Sequence, residues 1–277
     1  MTTRREIVRA GAGLAAIIAA GNAPAALLRS MLGMRNAMTA RSPEYWGLCF
    51  TAEEAGSTVR LTQTGTPSPI TLQTSADGKT WTDYAVGDTI TLANAGDKVY
   101  FAAGPDGNKR FSSNGYNYYR FLMSGRVAAS GSVMSLLDQV VSPDEVPSYC
   151  YYMMFYNCQS LTAAPQLPAT KLKNGCYYMM FYGCTSLTAA PQLPATALVD
   201  YCYYRMFYGC TKINSVRVAF SAWGPSGVKD PTSDWMNGAG TQAADEKTFY
   251  CPSALPDEPR GASTIPEGWT VVRTDAA

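Results

Sequence analysis

The stretch "CYYMMFYGCTSLTAAPQLPAT", residues 176–196, decides how this chain is read. Residues 150–170 spell "CYYMMFYNCQSLTAAPQLPAT", and a third copy opens as "CYYRMFYGCTKI" at Cys202. Aligning Cys150, Cys176 and Cys202 gives a period of 26 residues, in the range where one supersecondary unit stacks on the next. Near-identical units meet near-identical neighbours, so equivalent apolar residues are expected to form columns. These are Leu161, Leu187 and Ile213; Leu167 and Leu193; Leu172 and Leu198; and Phe155, Phe181 and Phe207. Val141 and Val146 stand one period before Leu167 and Leu172 and mark a preceding half unit.

Within one unit, "SLTAAPQLPAT" carries two prolines among small and apolar residues, which favours a short extended strand and a turn. The other half, "CYYMMFYGC", has no Gly or Pro until its end and predicts two helical turns. Gly183 and Gly209, with Asn157 in the first copy, then fall where a left-handed helix cap is needed. Strand, turn, short helix, turn is the layout of a leucine-rich repeat.

The order Leu161, Leu167-Pro168, Leu172, Met154/Phe155 and "NCQSL", repeated as "GCTSL" at 183–187, resembles the BspA-type (Treponema-style) leucine-rich repeat. Units of that family read roughly L-x-x-I-x-L-P…L…F-x-x-C-x-x-L. The likeness covers about 140–218 and departs at Ala164 and Pro165, where the family commonly has a β-branched residue. The resemblance implies a surface-displayed adhesion or recognition protein of host-associated bacteria, or a protein of their bacteriophages.

Composition narrows the chemistry. The chain of 277 residues is 47% hydrophobic, enough to bury a core, and 16% charged with a formal net charge of +1. No overall field draws it to nucleic acid. It has no histidine, so the usual neutral-pH proton shuttle and commonest metal ligand are missing. Six of the eight cysteines recur with the repeat: Cys150, Cys158, Cys176, Cys184, Cys202 and Cys210. On a helix, Cys150 and Cys158 would lie about 12 Å apart, too far for a bridge. Buried small thiols are expected, with no metal and no cofactor.

The flanks read differently. In residues 45–130, Ile70/Leu72, Ile90/Leu92 and Val99/Phe101 alternate at spacing two, with Asp77-Gly78 as a hairpin turn. This predicts a β-sandwich and resembles small immunoglobulin-like or fibronectin-like modules. Residues 219–277 read as a C-terminal cap in which Ile265, Trp269 and Val271 plug the last column. Residues 1–40 hold five arginines against one glutamate. "TTRREIVRAGAGLAAIIAAGNAPAA" resembles a twin-arginine export signal. It also reads as an αα-hairpin, stopped at Gly21 and resumed after Asn22 and Pro24, used for anchoring or assembly through Arg4, Arg5 and Arg9.

The expected architecture is therefore multidomain α+β. It comprises an N-terminal helical segment (1–40), a β-sandwich (45–130), a short leucine-rich-repeat solenoid (131–218) and a cap (219–277). The acidic pairs Glu53-Glu54, Asp144-Glu145, Asp245-Glu246 and Asp257-Glu258 read as solvated loop carboxylates, and the loop 104–115 as a plain hairpin without the glutamate a calcium loop requires. The candidate binding residues are the columns Tyr156, Tyr182, Tyr208 and Tyr152, Tyr178, Tyr204, one ring per unit. Together these features predict a non-enzymatic binding protein for a cell-surface glycan or protein. The expected setting is a virion fibre or decoration protein, a homo-oligomer such as a trimer, with an exported bacterial adhesin and a purely structural virion protein as alternatives.

Overall fold

Among the described residues twelve short strands alternate with turns, and the larger of two facing sheets opens the structure. In this computed structural model the described residues are 47–137, 144–224 and 226–274. The strands are β1 (Leu48–Ala52), β2 (Ser57–Thr64), β3 (Leu72–Ser75), β4 (Thr82–Tyr84), β5 (Thr89–Leu92), β6 (Lys98–Ala103), β7 (Tyr118–Ser124), β8 (Val127–Ser130), β9 (Leu161–Ala163), β10 (Ser215–Arg217), β11 (Thr248–Cys251) and β12 (Thr270–Arg273). A six-stranded sheet in the order β4-β3-β6-β1-β8-β9 faces a three-stranded sheet β5-β2-β7, and a third sheet runs β10-β11-β12. Alternation places Val59 and Leu61 of β2 and Val99 and Phe101 of β6 inside. Phe121 of β7 meets Phe50 at 4.9 Å and Phe101 at 5.2 Å between the facing sheets. At the β3–β4 hairpin Gly78 has φ +70°. Backbone N–H groups of Thr80 and Lys79 and the Ser75 hydroxyl donate to the Asp77 carboxylate, holding its acid well below the usual carboxylate range.

The α+β expectation is corrected: the fold is nearly all β. Among the described residues the only helical element is a single 3-10 turn, Val133–Leu136. The expected N-terminal helical segment, with Arg4, Arg5 and Arg9, lies outside the described residues, as does Val141. The sandwich is not a closed immunoglobulin- or fibronectin-like module either, because β8 pairs in parallel with β9 of the first repeat and carries the large sheet onward. Nor do the repeats form the strand-and-helix units of a leucine-rich-repeat solenoid. Their "CYYMMFYGC" halves are chains of turns.

The hydrogen bonds explain why no helix forms. In the first copy, N–H groups of Tyr149, Tyr151, Met153, Phe155 and Asn157 donate to carbonyls of Asn174, Cys176, Tyr178, Met180 and Tyr182 in the next copy, at 2.7–2.9 Å. The intervening N–H groups, of Cys150, Tyr152, Met154, Tyr156 and Cys158, donate three residues back within their own copy, at 3.1–3.3 Å. An α-helix would need a bond four residues back at every position. Every fourth residue instead adopts a left-handed conformation: Tyr149, Met153 and Asn157, then Gly175, Met179 and Gly183, then Tyr201, Arg205 and Gly209. The resulting in-in-out-out rhythm buries Cys150-Tyr151 and Met154-Phe155 while leaving Tyr152-Met153 and Tyr156-Asn157 at the surface.

These turn layers stack. Phe155, Phe181 and Phe207, all fully buried, lie ring on ring at 5.4 and 5.7 Å. Below them Phe121 occupies the same place, 5.7 Å from Phe155, and its N–H donates to the Met154 carbonyl. The facing sheets thus supply the base layer. Above, the period does not stop at residue 218. Asp230, Asp234 and Gly238 repeat the left-handed positions, and Tyr203, Arg205, Phe207 and Gly209 donate to carbonyls of Pro231, Ser233, Trp235 and Asn237. A fourth layer therefore follows with a longer connection. Ile265 and Trp269 are buried over it, and the Trp235 indole N–H donates to the Thr264 carbonyl at 2.9 Å.

The third left-handed position of each layer gives a direct test. Gly183 and Gly209 both have φ +70°, but a Cβ on Gly183 overlaps the Asn157 side-chain oxygen, whereas one on Gly209 meets the Gly183 Cα at an ordinary 3.8 Å. Gly209→Ala is expected to cost about 1–2 kcal/mol in chemical denaturation, the left-handed penalty alone. Gly183→Ala is expected to cost more, and the excess should vanish in an Asn157→Gly background.

Candidate functional site: the tyrosine face

The outward half of each turn layer carries two tyrosines, and stacking turns them into columns. Tyr152, Tyr178 and Tyr204 lie at 4.9 and 4.6 Å with planes within 18°. Tyr156, Tyr182 and Tyr208 lie at 4.9 and 4.7 Å with planes within 19°. These separations equal the spacing of hydrogen-bonded strands, so the backbone sets the ring spacing. All six rings are half-buried. The sequence reading thus brings together the residues it named. Stacking has a consequence that the linear pattern does not reveal: ring faces are covered by their neighbours, and the surface presents ring edges and phenol hydroxyls.

Between the columns runs the row Met153, Met179, Arg205 and Asp234, all at left-handed positions. The Arg205 guanidinium lies over the Tyr204 and Tyr208 rings, at 5.0 and 5.9 Å, and donates to Asp234 through both Nε and an Nη at 3.2 and 3.0 Å. At the base of the stack Tyr118 of β7 meets Tyr152 at 5.3 Å, and Tyr149 and Tyr201 flank the inner column. Tyr116 in the adjacent loop is 86% exposed, the most open of the large hydrophobic side chains among the described residues. Tyr116 and Tyr149 were not singled out from the sequence, although the tyrosine-rich wording at 116–119 offered the signal.

The first tyrosines of the pairs, Tyr151, Tyr177 and Tyr203, are buried and stack at 5.8 and 6.0 Å. The cysteines are free and buried. Cys158, Cys184 and Cys210 donate S–H to the carbonyls of Phe121, Phe155 and Phe181 one layer below, at 2.9–3.0 Å. Burial pushes the thiols of Cys150, Cys158, Cys202 and Cys210 up to about 12 and raises Cys176 and Cys184 well above the ordinary value. On the tyrosine face, burial and then the neighbouring phenols push Tyr152 up to about 12 and raise Tyr178 and Tyr182.

Six of the eight carboxylates in the acidic pairs meet a partner. Glu53 meets Arg126 at 3.1 Å, Asp144 meets Lys171 at 2.8 Å and Glu145 meets Lys173 at 3.4 Å. Lys171 and Lys173, which break the identity of the copies, therefore tie one layer to the segment before it. Asp245 accepts from the Asn214 amide, and Asp257 and Glu258 meet Arg260. In the loop 104–115, Asn108 is buried and bonded to Thr71 and Leu136. Among the described residues no group of three His, Cys, Asp or Glu side chains is placed to hold a metal ion, and no helix is long and apolar enough to cross a membrane. No protein-family model, curated protein or solved structure matches the chain.

Two outcomes follow from the buried groups. In the unfolded chain thiols and phenols ionise near 9 and 10, whereas in the fold many resist ionisation to about 12. Their raised values stabilise the fold fully below pH about 9 and cease to do so as pH rises toward 12. The denaturation midpoint should hold from neutral pH to about 9 and fall steeply above it. A colorimetric thiol reagent at neutral pH should find almost no reactive cysteine in the native protein and all eight after unfolding.

Proposed function

We propose that the chain is a non-enzymatic binding protein that meets a cell-surface glycan or protein through its tyrosine face. The observation that carries this reading is the pair of half-buried tyrosine columns held at 4.6–4.9 Å by the backbone. Such a face is pre-ordered, so little side-chain entropy is lost on binding, and tyrosine combines apolar edge with a hydrogen-bonding tip. The covered ring faces favour recognition by edges and hydroxyls over flat stacking on sugars. The resemblance of the repeat wording to surface-displayed proteins of host-associated bacteria and their phages supports a place on a virion or on a bacterial cell surface.

A structural role is the second reading, favoured by the same stacking, since rings that satisfy one another need no partner. Replacing Tyr156, Tyr182 and Tyr208 together by Ala separates the two. The binding reading expects loss of cell or glycan-array binding by more than tenfold with the fold retained. Unchanged binding with a lowered melting temperature would favour the structural role.

A further inference from the structure

The outer tyrosine column ends where the fourth layer begins. The Gly209 N–H donates to the Asn237 carbonyl as the Gly183 N–H donates to the Tyr208 carbonyl, so Asn237 stands where the next ring would be. Beside it lies an open depression of about 260 Å³, lined by Asn237, Gly238, Thr241, Lys247, Glu267 and Trp269 among others. The side chains there come from three separate places: the fourth turn layer, the residue before β11 and the turn before β12. Gly240 is what lets them converge, because a Cβ there would run into the Trp269 ring at 2.9 Å and the Lys247 stem at 2.9 Å.

The seven ion pairs of the described residues, at Glu53, Asp144, Glu145, Asp234, Asp257 and Glu258, all lie outside this depression. The Lys247 ammonium, the Glu267 carboxylate, the Asn237 amide and the Trp269 indole N–H make no hydrogen bond or ion pair with the rest of the described residues. An unengaged cation, anion and amide beside the edge of the buried Trp269 indole form a set with both donors and acceptors. A single charged ligand would satisfy only one of the two charges. A ring of hydroxyl groups, each able to donate and accept, satisfies all of them at once.

We infer that this depression is a saccharide subsite that takes one neutral sugar ring, its hydroxyls bonded by Lys247, Glu267 and Asn237 at the edge of the buried Trp269. The subsite rests on the carbohydrate arm of the function proposed above but not on the tyrosine columns, none of whose rings lines it.

Saturation-transfer NMR and calorimetry of the full chain against methyl glycosides of glucose, galactose, mannose and their 2-acetamido counterparts provide the test. At least one glycoside is expected to bind saturably in the millimolar range. Glu267→Gln and Lys247→Met, both at solvent-facing positions, should each weaken it by about tenfold, the size of a lost charge-assisted bond, without shifting the melting temperature. The Tyr156/Tyr182/Tyr208 triple variant should bind the glycoside as the parent does, which separates failure of the subsite from failure of the tyrosine face. No saturable binding to any of the six, or binding untouched by both substitutions, overturns the inference.

Discussion

Everything in the repeat region depends on one alternation in the backbone: successive N–H groups point by turns into their own layer and up to the next. Buried peptide groups must be paired, and this arrangement pairs them without helix or long strand. It requires a left-handed residue at every fourth position, which Gly175, Gly183, Gly209 and Gly238 accept freely and Met153, Met179 and Arg205 accept at a cost of roughly 1 kcal/mol each. The cost is offset by what the arrangement buries: four layers of aromatic and sulfur side chains, each fully buried phenylalanine contributing about 2 kcal/mol or more.

The same alternation fixes the surface. Since consecutive layers are joined by backbone bonds, equivalent side chains cannot slip past one another, and outward tyrosines become columns whether or not their rings attract. Stacking then adds its own stabilisation, about 0.5–1.5 kcal/mol per pair. The small thiols belong to this geometry too. Cys158, Cys184 and Cys210 fill a narrow space beneath each turn and satisfy a phenylalanine carbonyl with a weak S–H donor. They recur because the layer recurs, which is why their even number carries no information about bridges.

Much of this was legible in the sequence. The copies beginning at Cys150, Cys176 and Cys202 announced the columns, the Phe155/Phe181/Phe207 core, the Asp77-Gly78 hairpin and the plugs Ile265 and Trp269. The turn layers were not. A rhythm of two residues in and two out has a period of 4, and over nine residues it cannot be told from the 3.6 of a helix by polarity alone. The distinguishing mark was the left-handed position in the middle of each turn run, where methionine and arginine give no warning. The fourth layer was hidden because its connection is longer and only Gly238 copies its predecessors. Asp230 and Asp234, four apart and followed at the same interval by Gly238, were its signal, being residue types that tolerate left-handed backbone. The depression at Lys247 and Glu267 joins residues far apart in the chain, and no local pattern could have assembled it.

Interchangeable layers are the heart of the account, and removing one tests it most directly. Deleting residues 176–201 joins Gly175 to Cys202 and sets Phe207 on Phe155 and Tyr208 on Tyr156. The shortened chain should unfold in one cooperative transition, with near-ultraviolet circular dichroism showing aromatic side chains still packed. A chain that is soluble only as a loosely packed state, or that fails to fold, would contradict the claim that each layer presents the same face above and below.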